Sequence, residues 1–417
     1  MAPARVVIVG AGQAGFQAAA LLRQDGFDGS ITLVGEEPGW PYQRPPLSKD
    51  YLKGTADEEV LPLRGESFYA HHEIDVRAST HVAEIDREAA RIRLDSGDFL
   101  PYDHLILATG ARNRTLPLPG SDLTGVMALR SVADARALRE ALGEAERAVV
   151  VGAGFIGLEF AAAARFLGVD VVVLEALPRA MTRAVSIETA RFLTAAHSQQ
   201  GVTFHFGATV RGILGADGRV VAVQTDGGKR FPADLVLLSV GVVPNTELAA
   251  AAGLPVQNGI VVDEQLSTPD SAISAVGDCA SYPSRYGDPL VRLESVQNAV
   301  DSARCVAARL VGRPAPYADV PWFWSDQGEL RLQIAGVTSG YDLAVVSGNP
   351  ASGSFSVFCF GRGTLLGVES VGRPRDHMAA RRLLAEGLSL TPDEAARPAF
   401  DLKAYVEAAR ERASHEL

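Results

Sequence analysis

Residues Val6-Val7-Ile8-Val9-Gly10-Ala11-Gly12-Gln13-Ala14-Gly15 decide how this chain folds. Four consecutive β-branched residues read as a strand buried on both faces, the habit of parallel sheets. Glycines follow at once in the spacing G-x-G-x-x-G, and Gln13 to Arg23 then carries helical spacing. Ile31 to Val34 is a second strand, so the stretch opens a βαβ unit. Such a corner binds anions. Gly10 permits the tight turn, Gly12 lets the backbone approach a pyrophosphate, and Gly15 allows close helix–strand packing. The helix N-terminus adds unpaired N–H groups and a positive dipole end. Glu36, 21 residues past Gly15, follows the second strand, where a carboxylate can accept from ribose hydroxyls.

The arrangement recurs 142 residues later as Gly152-Ala153-Gly154-Phe155-Ile156-Gly157, between an Ala148 to Val151 strand and a Phe155 to Leu167 helix. Val169 to Leu174 is the next strand, and Glu175 lies 18 residues past Gly157. One such loop is a weak signal, because glycine turns after strands are common. Two, each in context and each with its acid, point to two dinucleotide sites. An anion at Glu175 should repel a ribose 2′-phosphate and favour NAD over NADP. Arg179 and Arg183 stand close downstream and read as solvated surface charges rather than a phosphate clamp.

Between the loops, Thr80 to Leu94 alternates like β-structure. His104 to Ala108 is a buried strand ending at Thr109-Gly110, and Pro117 to Gly120 suits a crossing between domains. Val202 to Phe206, Arg219 to Thr225, Leu235 to Val240 and Ile273 to Gly277 are strand-like. Gly241 to Asn245 reads as a turn, and Glu294 to Leu310 as a helix. From Pro321 the texture changes to strands at Leu330 to Ala335, Ser354 to Phe360 and Thr364 to Val371, with helices at His377 to Glu386 and Leu402 to Arg412. The expected fold is α/β, with two Rossmann-like dinucleotide-binding domains and a small C-terminal α+β domain.

Composition agrees. The chain has 417 residues, 47% of them hydrophobic and 21% charged, long enough for two or three cores. A net charge of −11 argues against nucleic acid or an anionic membrane as partner. No run of 18 apolar residues suggests a membrane span, and no secretory signal is read before the first strand. The three cysteines, Cys279, Cys305 and Cys359, form no C-x-x-C pair, so neither a disulfide framework nor a metal site is expected. A cytoplasmic location fits these features.

Longer motifs are more specific than the loops. Pro41-Tyr42-Gln43-Arg44-Pro45-Pro46-Leu47-Ser48-Lys49, Gly157-Leu158-Glu159 and Pro321-Trp322-Phe323-Trp324-Ser325-Asp326-Gln327, with Ala275-Val276-Gly277-Asp278, span nearly the whole chain. In these the sequence resembles the NADH-dependent ferredoxin reductases of bacterial oxygenase systems, within the two-dinucleotide-binding flavoproteins. The resemblance implies FAD at the first loop and NADH at the second, with electrons passing to a [2Fe–2S] ferredoxin that serves a cytochrome P450 or a ring-hydroxylating dioxygenase. It implies an FAD-binding domain at 1–114 and 245–320, an NAD-binding domain at 115–244 and a C-terminal reductase domain at 321–417.

The same resemblance implies the site residues. Gly10, Gly12, Ala14, Gly15, Glu36, Arg44, Val82, Thr109, Gly110, Arg130, Gly277, Asp278 and Val296 would serve FAD. Gly152, Gly154, Ile156, Gly157, Glu175 and Gly241 would serve NADH. Lys49, Glu159 and Trp324 would stand at the reacting centre. There a cation stabilises an anionic reduced ring, a carboxylate holds that cation, and an aromatic faces the flavin. Each also has a plain structural reading. Asp278 could cap a following helix. Lys49 and Glu159 could be a surface ion pair, and Trp322 to Trp324 could be a hydrophobic junction. For an acidic ferredoxin, docking cations could be Arg304 and Arg309, or Arg373, Arg375, Arg381 and Arg382. Both sets also read as solvated helix faces. A disulfide reductase is disfavoured because residues 36–60 contain no cysteine. A rubredoxin reductase and an NAD-responsive flavoprotein sensor remain as rivals.

Overall fold

The computed structural model describes residues 3–415. Packing divides the chain into two units, each interrupted in sequence. The first comprises the chain up to Gln43, Glu59–Arg112 and Val242–Pro321; the second comprises Arg44–Glu58, Asn113–Gly241 and the chain from Trp322 onward.

The first unit is built on a five-stranded parallel sheet in the order Ile273–Ala275, His104–Leu107, Arg5–Val9, Ser30–Val34, Ile74–Arg77. Val6 to Val9 are all buried, as the unbroken β-branched run requires. Helix Gln13–Gln24 packs along helix Val296–Leu310. The sharp corner at the end of the first strand depends on glycine geometry. Gly10 has φ +111°, and a Cβ there would stand 2.1 Å from the Ala108 carbonyl oxygen. A Cβ on Gly15 would stand 1.9 Å from the Gly10 carbonyl oxygen, so the helix can lie against the strand only without one.

The second unit repeats the plan. Its parallel sheet runs Thr203–Phe206, Asp170–Glu175, Arg147–Val151, Leu235–Leu238, Val126–Met127. Helix Phe155–Phe166 leaves its glycine corner as Gln13–Gln24 leaves the first. The likeness extends to the strand starts. Arg5 pairs with Asp103 at 2.7 Å, and Arg147 pairs with Asp234 at 2.9 Å, each carboxylate also accepting the arginine's backbone N–H. The second unit also carries an antiparallel sheet in the order Trp322–Gln327, Leu330–Gly336, Thr364–Val371, Ser354–Gly361, Leu343–Asn349, with helix Pro374–Ala385 against it.

Several local readings change. Val242–Pro244 is a strand, not a turn. Trp322–Gln327, Val210–Ala216 and Leu343–Asn349 are strands that alternation did not reveal. The first runs three aromatics together, the second contains two glycines, and the third is a half-exposed edge. Asp278 caps no helix: it lies inside the one-turn 3-10 helix Gly277–Cys279, and the helix that follows begins at Val296 under a Ser295 cap.

Candidate functional site

In the first unit the glycine loop, the Thr109 turn and the Gly277 turn converge. Thr109 Oγ1 donates to the Asn245 carbonyl at 2.7 Å, and Asn245 returns its amide to the Thr109 carbonyl at 2.9 Å. That pair of hydrogen bonds fixes the Thr109–Gly110 turn, where Gly110 has φ +66°. Gly277 gives its N–H to Ser302 Oγ, and a Cβ on it would stand 2.9 Å from the Ala14 methyl. Gly277, the residue before Asp278, thereby packs against Ala14 in the first turn of the loop helix. Glu36 projects into solvent with His81 Nδ1 3.5 Å away, and Val82 follows that histidine, buried at the start of its strand. Val296 opens its helix.

The second unit holds Arg44, Lys49, Arg130, Gly152, Gly154, Ile156, Gly157, Glu159, Glu175, Gly241 and Trp324. Glu175 ends its strand and turns back on the loop: its Oε2 accepts the Ala153 N–H at 2.8 Å and its Oε1 the Leu177 N–H at 2.9 Å. Ile156 stands exposed on the first turn of the helix. Gly241 has φ +91° with open space beside it, and its carbonyl accepts the Arg114 N–H. Arg44 Nη1 donates to the Arg130 carbonyl at 2.5 Å, which brings these two arginines together.

Both loops suit a dinucleotide. Neither Gly12 nor Gly154 gives its helix a side-chain cap, so the first-turn N–H groups are offered outward. A Cβ added at either glycine meets nothing within 4 Å, so the backbone there lies open to a close-approaching phosphate.

Glu159 is a buried and closely held carboxylate of the second unit. It is 4% exposed, in the first turns of helix Phe155–Phe166, so it belongs to no surface pair. Its Oε2 accepts from Lys49 Nζ at 2.7 Å and from the Ser48 hydroxyl; its Oε1 accepts from Ser325 Oγ at 2.7 Å. Three donors on one buried carboxylate are what a buried anion requires. Lys49 Nζ also donates to the Pro45 carbonyl at 3.2 Å. Ser325 is in turn bonded to Gln327, and Gln327 to His197 Nε2 at 2.9 Å. Ser48, Ser325 and Gln327 lie inside the quoted motifs, but no local pattern marks these contacts, and nothing in the sequence marks His197. Trp324 is half-buried on the same strand, its ring 5.7 Å from Trp322, and the Arg381 guanidinium lies 4.3 Å over the Trp322 ring.

The arginines proposed for docking differ in availability. Arg309 turns inward and donates to Ser274 Oγ at 2.5 Å, beside His104, whose ring burial drives down to about 3. Arg304 is tied to Asp301. Arg373 is tied to Asp376 and to the Ser347 carbonyl. Arg375 is exposed, and Arg382 is exposed with Glu386 3.7 Å away. Among the described residues no cluster of His, Cys, Asp or Glu is arranged to hold a metal ion, and no helix is long and apolar enough to cross a membrane.

Comparison with known proteins agrees with this arrangement. A family model described as pyridine nucleotide-disulphide oxidoreductase matches residues 4–303, and one described as reductase C-terminal matches residues 322–406. The chain is similar to rhodocoxin reductase of Rhodococcus erythropolis, 54% identical over 410 residues that cover 98% of this chain and 96% of that one. The ferredoxin reductase for the CYP199A2 system from Rhodopseudomonas palustris superposes with a TM-score of 0.94 at 47% identity, covering 97% of this chain and 100% of that one. The reductase in a covalent putidaredoxin reductase–putidaredoxin complex does so with a TM-score of 0.95 at 39% identity, covering 98% and 100%. Two glycine-cornered parallel sheets, a C-terminal antiparallel sheet and matches along almost the full length lead to one placement: this chain belongs to the pyridine nucleotide-disulphide oxidoreductase family.

Proposed function

We propose that the protein is an FAD-dependent NADH:ferredoxin oxidoreductase, passing electrons from NADH through FAD to a [2Fe–2S] ferredoxin that serves a cytochrome P450 or a ring-hydroxylating dioxygenase. The observation that carries the reading is the ion pair of Lys49 with the buried Glu159 in a chain with no cysteine between residues 36 and 60. A disulfide reductase would place a redox-active thiol there; this chain places a fixed cation. The relatives named above are reductases, one of them the ferredoxin reductase for the CYP199A2 system, which supports the same reading.

The segments 1–114 and 245–320 would hold FAD. The Gly10–Gly15 corner would take its pyrophosphate, Glu36 its adenosine ribose, and Asp278 with the Thr109–Gly110 turn its ribityl side. Arg44, Val82, Arg130 and Val296 would complete the contacts. Segment 115–244 would hold NADH on Gly152, Gly154, Ile156, Gly157 and Gly241. Glu175 would face the ribose and disfavour a 2′-phosphate. Bound FAD supplies the conversion of a two-electron donor to a one-electron acceptor. Lys49 contributes a positive charge that stabilises added negative charge, and Glu159 keeps that charge in place. Trp324 would cover an edge of the site.

Steady-state reduction of a panel of [2Fe–2S] ferredoxins and rubredoxins, with NADH and NADPH side by side, tests the proposal. Fast NADH-driven turnover with a ferredoxin supports it. Preference for rubredoxin would move the acceptor. A long-lived reduced complex without turnover would favour an NAD-responsive sensor.

A further inference from the structure

Behind Glu159 the structure holds a buried polar chain that the proposed chemistry does not use. Ser325, Gln327 and His197 are each 0% exposed. They sit on strand Trp322–Gln327 and helix Ile187–Gln199, and end on Glu159 of helix Phe155–Phe166. The contacts are Ser325 Oγ to Glu159 Oε1 at 2.7 Å, Gln327 Nε2 to Ser325 Oγ at 3.2 Å, and His197 Nε2 to Gln327 Oε1 at 2.9 Å.

The carboxylate fixes the direction of every link. Ionised Glu159 can only accept, so Ser325 must spend its single proton on it. Ser325 oxygen must then accept, so the Gln327 amide nitrogen faces it and the amide oxygen faces His197. His197 must therefore carry its proton on Nε2, and burial holds the ring below its ordinary value and so neutral. His197 Nδ1 finds no partner, as suits the unprotonated nitrogen. An amide cannot relay a proton, so the chain is no proton wire. It is a row of dipoles pointing one way, at one carboxylate.

We propose that Ser325, backed by Gln327 and His197, is a positioning residue for the Lys49–Glu159 pair. It holds the Glu159 carboxylate in one orientation, so the Lys49 ammonium keeps one position. This rests on the role given to Lys49 above. Ser325 neighbours Trp324 on its strand, so the same hydrogen bond also anchors the strand that carries the aromatic.

The test uses the FAD-loaded full chain and reads three quantities: the midpoint potential of the bound FAD, the stopped-flow rate of its reduction by NADH, and the NAD⁺ dissociation constant. Loss of one hydrogen bond to a buried charge is worth about tenfold. Ser325→Ala should therefore slow reduction about tenfold and move the potential to more negative values, with NAD⁺ affinity within about twofold. Ser325→Thr, which keeps the hydroxyl, should restore both. Gln327→Leu should change both in the same direction by less. Wild-type rate and potential in a folded Ser325→Ala protein would overturn the proposal, as would a Gln327→Leu effect exceeding that of Ser325→Ala. If Ser325→Thr folds poorly, the order of those two variants decides the matter. Lys49→Met separates the two layers. If it alters rate and potential while Ser325→Ala does not, only the positioning role falls. If it alters neither, the Lys49 assignment falls and the positioning role with it.

Discussion

Two glycines three residues apart should respond to the same substitution in opposite ways. Gly15→Ala would put a methyl carbon 1.9 Å from the Gly10 carbonyl oxygen and 3.2 Å from Leu33 Cδ1. The leucine can yield, but the carbonyl is backbone, so helix Gln13–Gln24 must back away by more than about 1 Å. Alanine's better helix propensity returns about 1 kcal/mol, against about 3 kcal/mol or more for overpacking that cannot relax, so the clash wins. Gly12→Ala is the reverse case. Gly12 lies at φ −81° and ψ −164°, a conformation any residue adopts, and the added methyl meets nothing within 4 Å. As an N-cap change it costs up to about 1 kcal/mol. With FAD present, however, the methyl lies where the pyrophosphate would approach, and losing one or two charge-assisted hydrogen bonds costs about 3 kcal/mol, roughly 150-fold in affinity. Urea unfolding of the apoprotein and flavin-fluorescence titration with FAD separate the two quantities. Gly12→Ala should keep the apoprotein midpoint and lose FAD; Gly15→Ala should lower the midpoint first. A Gly12→Ala protein that binds FAD as tightly as wild type would show that the open space at Gly12 is not where the phosphates lie.

The second loop should behave in parallel: Gly154→Ala, with no atom within 4 Å of its added methyl, should leave FAD content intact and raise the NADH KM at least about tenfold, checked by NADH-dependent ferricyanide reduction. Glu369 is fully buried, and burial raises its carboxyl above the usual range, while Ser186 donates to both oxygens at 2.7 and 2.6 Å. A raised folded value means the stabilisation is complete below the unfolded value and is lost as pH climbs through the folded one. Glu369→Gln should therefore flatten the fall in melting temperature from about pH 4 upward, and an unchanged slope would refute the assignment. For docking, Arg375→Glu with Arg382→Glu should raise the ferredoxin KM several-fold at low salt and less at high salt. Arg309→Glu, whose guanidinium bonds Ser274, should lower the melting temperature instead of acting on KM selectively.

What the sequence disclosed follows from what local pattern can encode. The first strand, its glycines and the helix after them are one uninterrupted signal, because a buried parallel strand and a phosphate corner each demand particular residues at adjacent positions. The strand Val210–Ala216 escaped the same reading because Gly212 and Gly215 interrupt its alternation. Asp278 was open to reading as a helix cap because polarity after a strand suggests one, and only the chain path shows the next helix beginning at Val296. The environment of Glu159 was the least legible part. Ser48 and Ser325 meet it from 111 and 166 residues away, and serines in a polar-looking motif carry no mark of such a partner. Arg309 had helical spacing in favour of exposure, yet its guanidinium turns back to Ser274, because a long side chain on the flank of a half-buried helix can reach either way.

The two loops also show where a duplicated scaffold departs from itself. At a constant offset of 142 residues Gly10, Gly12, Gly15 and Arg5 correspond to Gly152, Gly154, Gly157 and Arg147, and the two arginines pair with Asp103 and Asp234 in the same way. Those shared positions shape the corner and tie the strand starts, so both copies need them. Two residues past the last glycine the copies differ in charge: the first has Gln17, half-buried and neutral, and the second has Glu159, buried and charged. A carboxylate at that depth is unfavourable on its own account, since an unpaired buried charge costs several kcal/mol (about 3–5 when a partner is lost). It is held by Lys49, Ser48 and Ser325, none of which belongs to the duplicated loop. A fold that needed only to bind a second dinucleotide could have kept the glutamine. The burial of an anion, with a cation and two hydroxyls recruited from elsewhere in the unit to hold it, has no counterpart at Gln17 and is the arrangement that the proposed role of Lys49 would call for.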